Sequence, residues 1–351
     1  MIDSSELLQV NGHKLNVPLA ANVSTNKRKR KMSRFLGVPA EDIIDPSSQG
    51  GDIDIVGHFM AIDRRKSAIV LALRGTYTLS GLKTDAAAYS RPFCNGVAHA
   101  GIADRTDKIW EHLKVKIVDL LKANPGFNFV VTGHSLGAGV AVLLALKIKH
   151  EQALAKLDPA LASVKVSCFG FASPPVYLAD PENEAVMAEA MKDTYAFIHE
   201  NDVVPFCSFD SLRRMSHTID DIDDATNMIV GPLMAIGKLP IGPLMKRKVF
   251  KDLDLEPAAN AEKLAIPAPY AIWMQKQSEN EGGDPVYDAM FCRPEAKNGD
   301  KGTNDLHVLF DDRMIADHMN PEYERALASI ATQMKGVHGI DGYAFPSRCV
   351  R

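Results

Sequence analysis

Near the middle of the chain, Gly133-His134-Ser135-Leu136-Gly137 places a serine hydroxyl between two glycines. A serine hydroxyl is a weak nucleophile until a neighbouring base takes its proton, and the base in turn needs a carboxylate to hold its tautomer. The chemistry open to such a group is acyl transfer: attack on a carbonyl, a tetrahedral oxyanion, and a covalent acyl intermediate that water resolves. Alone the pentapeptide is a weak signal, because two glycines around a serine recur by chance. Its setting strengthens it. The apolar run Phe129-Val130-Val131 leads straight in, and Leu136 to Ile148, apolar on nearly every side, leaves at once. A serine at such a strand-to-helix turn sits in a strained backbone with its hydroxyl outward, and Gly133 and Gly137 remove β-carbons that would collide across the turn. The following helix start aims free N–H groups at the serine oxygen. The backbone N–H of Leu136 is thus a candidate oxyanion donor, and one such donor contributes ~3–4 kcal/mol.

The elements that must carry this turn are legible on either side. Ile53 to Ile62 and Ser67 to Leu73 read as two strands joined by the polar turn Asp63-Arg64-Arg65-Lys66, the second continuously apolar as in a strand buried on both faces. Ile102 to Leu121 shows helical spacing and stops at Asn124-Pro125-Gly126. Phe127 to Thr132 reads as a strand, Leu136 to Ile148 as a buried helix, and Val164 to Phe171 as a strand. Glu184 to Met191 then reads as a short helix and Tyr195 to His199 as a strand. Strand and helix therefore alternate from 67 to about 200, which predicts an α/β chain with a mostly parallel central sheet and helices on both faces. After 205 the rhythm loosens. Residues 210–262 read as a cap-like insert, Leu264 to Trp273 and Leu306 to Phe310 as strand-like, and Lys276 to Gly302 as polar and partly loop. The last helix fits Pro321 to Met334, with Asn320 able to cap it. The expected organisation is an N-terminal extension over 1–50, a catalytic domain over 51–335 and a tail over 336–351.

Gly133-His134-Ser135-Leu136-Gly137-Ala138-Gly139 resembles the elbow of the class 3 lipases, the α/β-hydrolase family of fungal triacylglycerol lipases and diacylglycerol lipases. Leu73-Arg74-Gly75-Thr76 is similar to that family's strand-end oxyanion motif, and His99-Ala100-Gly101-Ile102 to its H-x-G-[FI] segment. The resemblance runs over roughly 54 to 330 with the motifs in order. It implies an α/β-hydrolase fold and no cofactor or metal. It makes Thr76 the second oxyanion donor through its backbone N–H, and puts a lid at 77 to 93. His99 would support the loop bearing Thr76.

In α/β-hydrolases the acid and then the base follow the serine. Asp202 closely follows the apolar strand 195–198, at the rim where α/β folds place their chemistry. His199-Glu200-Asn201-Asp202-Val203-Val204-Pro205 resembles the family's N-x-x-D-x-V-P, although here the asparagine abuts the aspartate. Glu200 is the rival acid. Of the eleven histidines, six follow Ser135: His150, His199, His217, His307, His318 and His338. His318 is the choice for the base, because it stands in a loop just before the last helix, and Asp317-His318 with Tyr323 resembles the family's D-H-x-x-x-x-Y. His217 is second, and His307 alternates within a strand-like run. His134, inside the elbow, should point away from the reacting ester and serve packing or hydrogen bonding.

Composition narrows the remaining classes. A net charge of −4 argues against a general nucleic-acid binder. Five cysteines without C-x-x-C spacing argue against a disulfide framework or a zinc site. The start lacks a basic segment followed by an apolar one, which points to a cytoplasmic setting. The cluster Lys27-Arg28-Lys29-Arg30-Lys31 and Arg34 fits a solvated stretch, a nuclear address or contact with anionic headgroups. Met228 to Met245, apolar but broken by Gly and Pro and followed by Lys246-Arg247-Lys248, suits a cap or a peripheral contact with a membrane or droplet surface. The expected activity is hydrolysis of a lipid ester, with di- or triacylglycerol first. Phospholipase A1, a soluble carboxylesterase and a catalytically inactive lipid-binding scaffold are the alternatives.

Overall fold

The computed structural model describes residues 27–34, 36–44, 55–75, 90–202, 204–206, 264–279, 284–292, 313 and 316–334. Thr76, residues 77–89 of the lid position, the 210–262 insert with Met228 to Met245, His217, the 306–310 segment with His307, and the 336–351 tail lie outside them.

In chain order the strands and main helices begin with β1 (Ile43–Ile44), β2 (His58–Asp63), β3 (Ala68–Leu73), β4 (Ser90–Pro92), β5 (Gly96–His99), α1 (Ala100–Ala123), β6 (Asn128–His134) and α2 (Leu136–His150). They continue with β7 (Val166–Phe171), β8 (Tyr177–Ala179), α3 (Glu184–Met191), β9 (Thr194–His199), β10 (Tyr270–Glu279), β11 (Pro285–Cys292) and α4 (Asn320–Met334). Eight strands form one sheet in the order β1-β2-β3-β6-β7-β9-β10-β11. From β3 to β10 neighbours run parallel, while β1, β2 and β11 are antiparallel additions at the two edges. A smaller antiparallel sheet, β4-β5-β8, stands apart. This is an α/β-hydrolase fold.

Alternation along the strands sorts the core onto two faces. Leu71, Val131 and Cys168 share one buried cluster with Ile109 and Leu113 of α1 and with Val140 to Leu146 of α2. Phe171, Phe197, Met274 and Tyr287 pack with Tyr323 and Ala326 of α4 in another. The elbow helix α2 is buried from Leu136 through Leu146, as its lack of a polar stripe requires. β3 is less enclosed than its continuous apolarity implied, with Val70 and Ala72 only partly buried.

The departures from the sequence reading have local causes. The sheet starts before residue 51, because Ile43 and Ile44 pair with Ala61 and Met60. Residues 27–34, within the stretch read as a poorly periodic extension, are helical. The stretch between Leu73 and Ile102, to which the sequence reading assigns no strand or helix, carries β4 and β5. The strand read from Leu264 begins only at Tyr270. Pro267 and Pro269 lack the N–H a ladder needs, and Leu264–Ile266 instead meet Tyr177 through one isolated bridge at Ala265. The polar stretch after Lys276 contains β11, which pairs along β10 from Ala271 to Glu279 as the edge of the sheet. An edge strand carrying charges needs only one apolar face, so its periodicity is weak.

Candidate active site

The elbow is built by sterics. Ser135 joins β6 to α2 with φ 57° and ψ −128°, a conformation costly for any residue with a β-carbon. Its N–H donates to the Phe171 carbonyl at 2.9 Å, and its own carbonyl accepts from Ala138 and Gly139 in the first turn of α2. A β-carbon on Gly133 would stand 2.3 Å from the Gly137 carbonyl oxygen, and one on Gly137 would stand 2.4 Å from the Leu73 oxygen. Both glycines are therefore obligatory for this turn. Gly75 is pressed equally hard: a β-carbon there would lie 2.7 Å from the His134 oxygen and 3.0 Å from the Ser135 β-carbon. The Arg74-Gly75 segment thus runs directly against the serine, and Thr76 follows it in sequence. Leu136 opens α2 immediately after the serine.

Three chain-distant residues meet at the C-terminal ends of the parallel strands. Nε2 of His318 is 3.0 Å from Oγ of Ser135. Nδ1 of His318 is 3.0 Å from both carboxylate oxygens of Asp202. A carboxylate only accepts, so Nδ1 carries the ring proton and Nε2 presents a lone pair to the serine hydroxyl. Ser135 and Asp202 are buried, and His318 keeps 17% of its side chain exposed.

Asp202 is fully buried, and three donors converge on its carboxylate. The Val204 N–H donates to Oδ1 at 2.9 Å, Nδ1 of His318 donates, and the Tyr323 hydroxyl donates to Oδ2 at 2.7 Å; separately, the backbone N–H of Asp202 donates to the His199 carbonyl at 2.9 Å. The first three bonds replace the water that burial takes from the carboxylate oxygens. Burial, with Asp202 close by, pushes the Tyr323 hydroxyl well above its usual range, so it remains a donor. The rival Glu200 faces elsewhere: its carboxylate accepts from the Lys276 N–H and its carbonyl accepts from Nε1 of Trp273 at 2.8 Å.

His134 lies under the base. Its Nε2 donates to the His318 carbonyl at 2.8 Å, and its ring is 4.7 Å from the His318 ring and edge-on to Tyr323. Burial, reinforced by His318, lowers it to about 4, so it is neutral at ordinary pH. His99 caps α1, its Nδ1 accepting from the Ile102 N–H at 3.3 Å. Its expected partner, the Thr76 loop, is outside the described residues.

Tyr323 and the pair His199–Asp317 are the contributors that residue-type reasoning left without roles. Tyr323 could be found only through the D-H-x-x-x-x-Y spacing. His199 carried no signal beyond its place at a strand end.

Residues 70–212 match the family model described as lipase (class 3). In this stretch the chain is similar to the class 3 lipases. His318 and Tyr323 fall beyond the matched stretch, which is also narrower than the 54-to-330 resemblance. Over 153 residues the chain is 30% identical to the secreted mono- and diacylglycerol lipase A of Penicillium camembertii, covering 42% of this chain and 45% of that protein. Over 98 residues it is 36% identical to diacylglycerol lipase-beta of Mus musculus, covering 26% of this chain and 15% of that one. The match thus spans less than half the length of these relatives. Among solved structures, a deletion mutant of the Rhizomucor miehei lipase propeptide complex superposes with a TM-score of 0.50 at 16% identity, covering 88% of this chain and 80% of that one. The matched segment contributes the elbow, Gly75 and Asp202, and the chain after it supplies His318. Among the described residues no helix is long and apolar enough to cross a membrane, and no cluster of His, Cys, Asp or Glu could hold a metal ion.

Proposed function

We propose that this protein is a serine ester hydrolase acting on lipid esters, with mono-, di- or triacylglycerols as the substrate class. The carrying observation is the continuous chain from Ser135 Oγ through both nitrogens of His318 to the buried Asp202, mounted on a strained elbow. In this reading His318 takes the proton from Ser135 as the hydroxyl attacks the ester carbonyl, and Asp202 stabilises the imidazolium that forms. The N–H groups of Leu136 and Thr76 would hold the oxyanion. His318 then returns the proton to the leaving alcohol, and water resolves the acyl-enzyme by the same route.

The lipid part of the proposal draws on the mono- and diacylglycerol lipases that the chain resembles. It also draws on Met319, a large apolar side chain left 55% exposed beside the base. Such a residue suits contact with acyl chains. We place the protein in the cytoplasm, where the free thiols of Cys94 and Cys168 would persist, meeting membrane or droplet surfaces peripherally.

The test is labelling by a fluorophosphonate probe together with hydrolysis of a lipid panel by wild type and Ser135→Ala. The expected result is Ser135-dependent labelling and a loss of ~10⁵–10⁶-fold in turnover for the variant. Absence of Ser135-dependent labelling overturns the assignment. Labelling with turnover of soluble short-chain esters alone, and no rise when the substrate aggregates, overturns the lipid part.

A further inference from the structure

His199 is fully buried three residues before Asp202, at the end of β9. Its ring reaches across to the loop of the base. Nδ1 is 3.1 Å from the backbone oxygen of Asp317, the residue preceding His318, and Nε2 is 3.3 Å from the Tyr287 hydroxyl on β11. A carbonyl oxygen only accepts, so Nδ1 is the donor and Nε2 accepts from Tyr287. The backbone N–H of His199 donates to the Tyr323 hydroxyl at 3.1 Å, the same hydroxyl that donates to Asp202. A second cross-link runs beside the first, because the Asn201 N–H donates to Oδ2 of the buried Asp317 at 3.3 Å. Acid loop and base loop are therefore paired twice in parallel: Asp202 with His318 at the site, and His199 with Asn201 on Asp317 just behind it.

We propose that His199 is a positioning residue for the Asp202–His318 pair, fixing the base loop through the Asp317 carbonyl; this rests on the serine-hydrolase reading above. The hydrogen bond from Nδ1 sets where the Asp317–His318 peptide lies, and so where the His318 ring meets both Asp202 and Ser135. Besides its bonds to Asp202 and Ser135, His318 is held by the His134 contact to its own carbonyl and by the start of α4, and Asp317 by the Asn201 N–H. Without the His199 donor, the base loop can shift while the elbow stays in place. A displacement of ~1 Å costs ~10²-fold in a step that depends on alignment. The groups facing His199 are Asp317, Tyr287 and Tyr323, and those facing His318 are Asp202, Ser135 and His134.

The position of the donor makes the proposal testable by two amides. The asparagine amide nitrogen takes about the place of Nδ1, whereas the glutamine amide nitrogen takes about the place of Nε2. His199→Asn, His199→Gln and His199→Phe would be compared with wild type on a short-chain p-nitrophenyl ester, with kcat expressed per fluorophosphonate-titrated site. His199→Asn is expected to keep kcat within about threefold, and His199→Gln and His199→Phe to lose ~10–100-fold with little change in KM. In those two variants the acid limb of kcat/KM should move to lower pH, because a loosened Asp202 stabilises the imidazolium less. A merely structural defect would lower the titrated fraction and leave the limb and the per-site kcat where they were. Equal per-site kcat in the Asn and Gln variants, or an unmoved limb, overturns the proposal, and the Asn–Gln comparison decides even where His199→Phe does not fold. A wild type without Ser135-dependent labelling would instead overturn the underlying reading of the site.

Discussion

His134→Gln separates the hydrogen bond made by His134 from its charge. The glutamine amide nitrogen can stand about where Nε2 does and keep the donor to the His318 carbonyl, but it cannot take a proton. In the folded protein His134 is neutral down to about 4, against 6.5 for an ordinary histidine, chiefly because burial penalises the charged ring. Above pH 6.5 neither the folded nor the unfolded chain holds the extra proton, and the full stability is present. As pH falls below 6.5 the unfolded chain takes the proton first, and stability drops until the folded protein also protonates near 4. A gap of ~2.5 pH units at about 1.36 kcal/mol per unit makes the whole loss ~3 kcal/mol. Groups common to both proteins cancel in the difference, so the stability of the variant relative to wild type should rise by ~2–3 kcal/mol between about pH 7.5 and pH 4.5. The measurement is urea unfolding of both proteins across that range, followed by circular dichroism. Because the donor is kept, turnover at neutral pH should stay within about threefold. A difference in stability that does not change with pH would refute the claim that His134 is held neutral by its surroundings.

Tyr323→Phe removes the hydroxyl donor to the buried Asp202 and leaves the His199 N–H without that acceptor. Hydrogen bonds to charged groups contribute ~1.5–3 kcal/mol, so a drop of ~2–3 kcal/mol in urea unfolding is expected, with a fall in kcat larger than any change in KM. Glu200→Gln tests the choice of acid. Its carboxylate is engaged with the Lys276 N–H, away from His318, so kcat should stay within about twofold, whereas Asp202→Asn should lower it by ~10⁴-fold. A large loss in Glu200→Gln with a small one in Asp202→Asn would reverse the assignment.

The parts readable from sequence are those whose cause is local. The elbow needs two glycines within a pentapeptide, and the clash distances at Gly133 and Gly137 show why no other residue would do. The sheet was readable because β3, β6, β7 and β9 are short apolar runs separated by helical spacing. Asp202 and His318 were within reach because chain order and rim position restrict the choice to a few residues. Long-range bracing was not readable. Tyr323 meets Asp202 across 121 positions and His199 meets Asp317 across 118, and no period or spacing links such pairs. His99 was missed as a cap because histidine is not among the residues that favour that position. β11 was missed because an edge strand needs only half an apolar pattern.

The three residues of the site are held by unlike means, and this decides where the site is vulnerable. Ser135 is fixed by backbone sterics, with Gly133, Gly137 and Gly75 filling the only space the turn allows. Asp202 is fixed by the frame, three residues beyond a central strand, with its N–H on the His199 carbonyl. His318 has neither support. It belongs to a loop tied down through hydrogen bonds to the consecutive carbonyls of Asp317 and His318, from His199 and His134, and to the Asp317 carboxylate, from the Asn201 N–H. Each of those bonds contributes only ~0.5–1.5 kcal/mol, so no single one determines folding, yet together they set the position of the base. Substitutions behind the site should therefore lower turnover well before they lower stability, and the loss should come through His318 rather than through the serine.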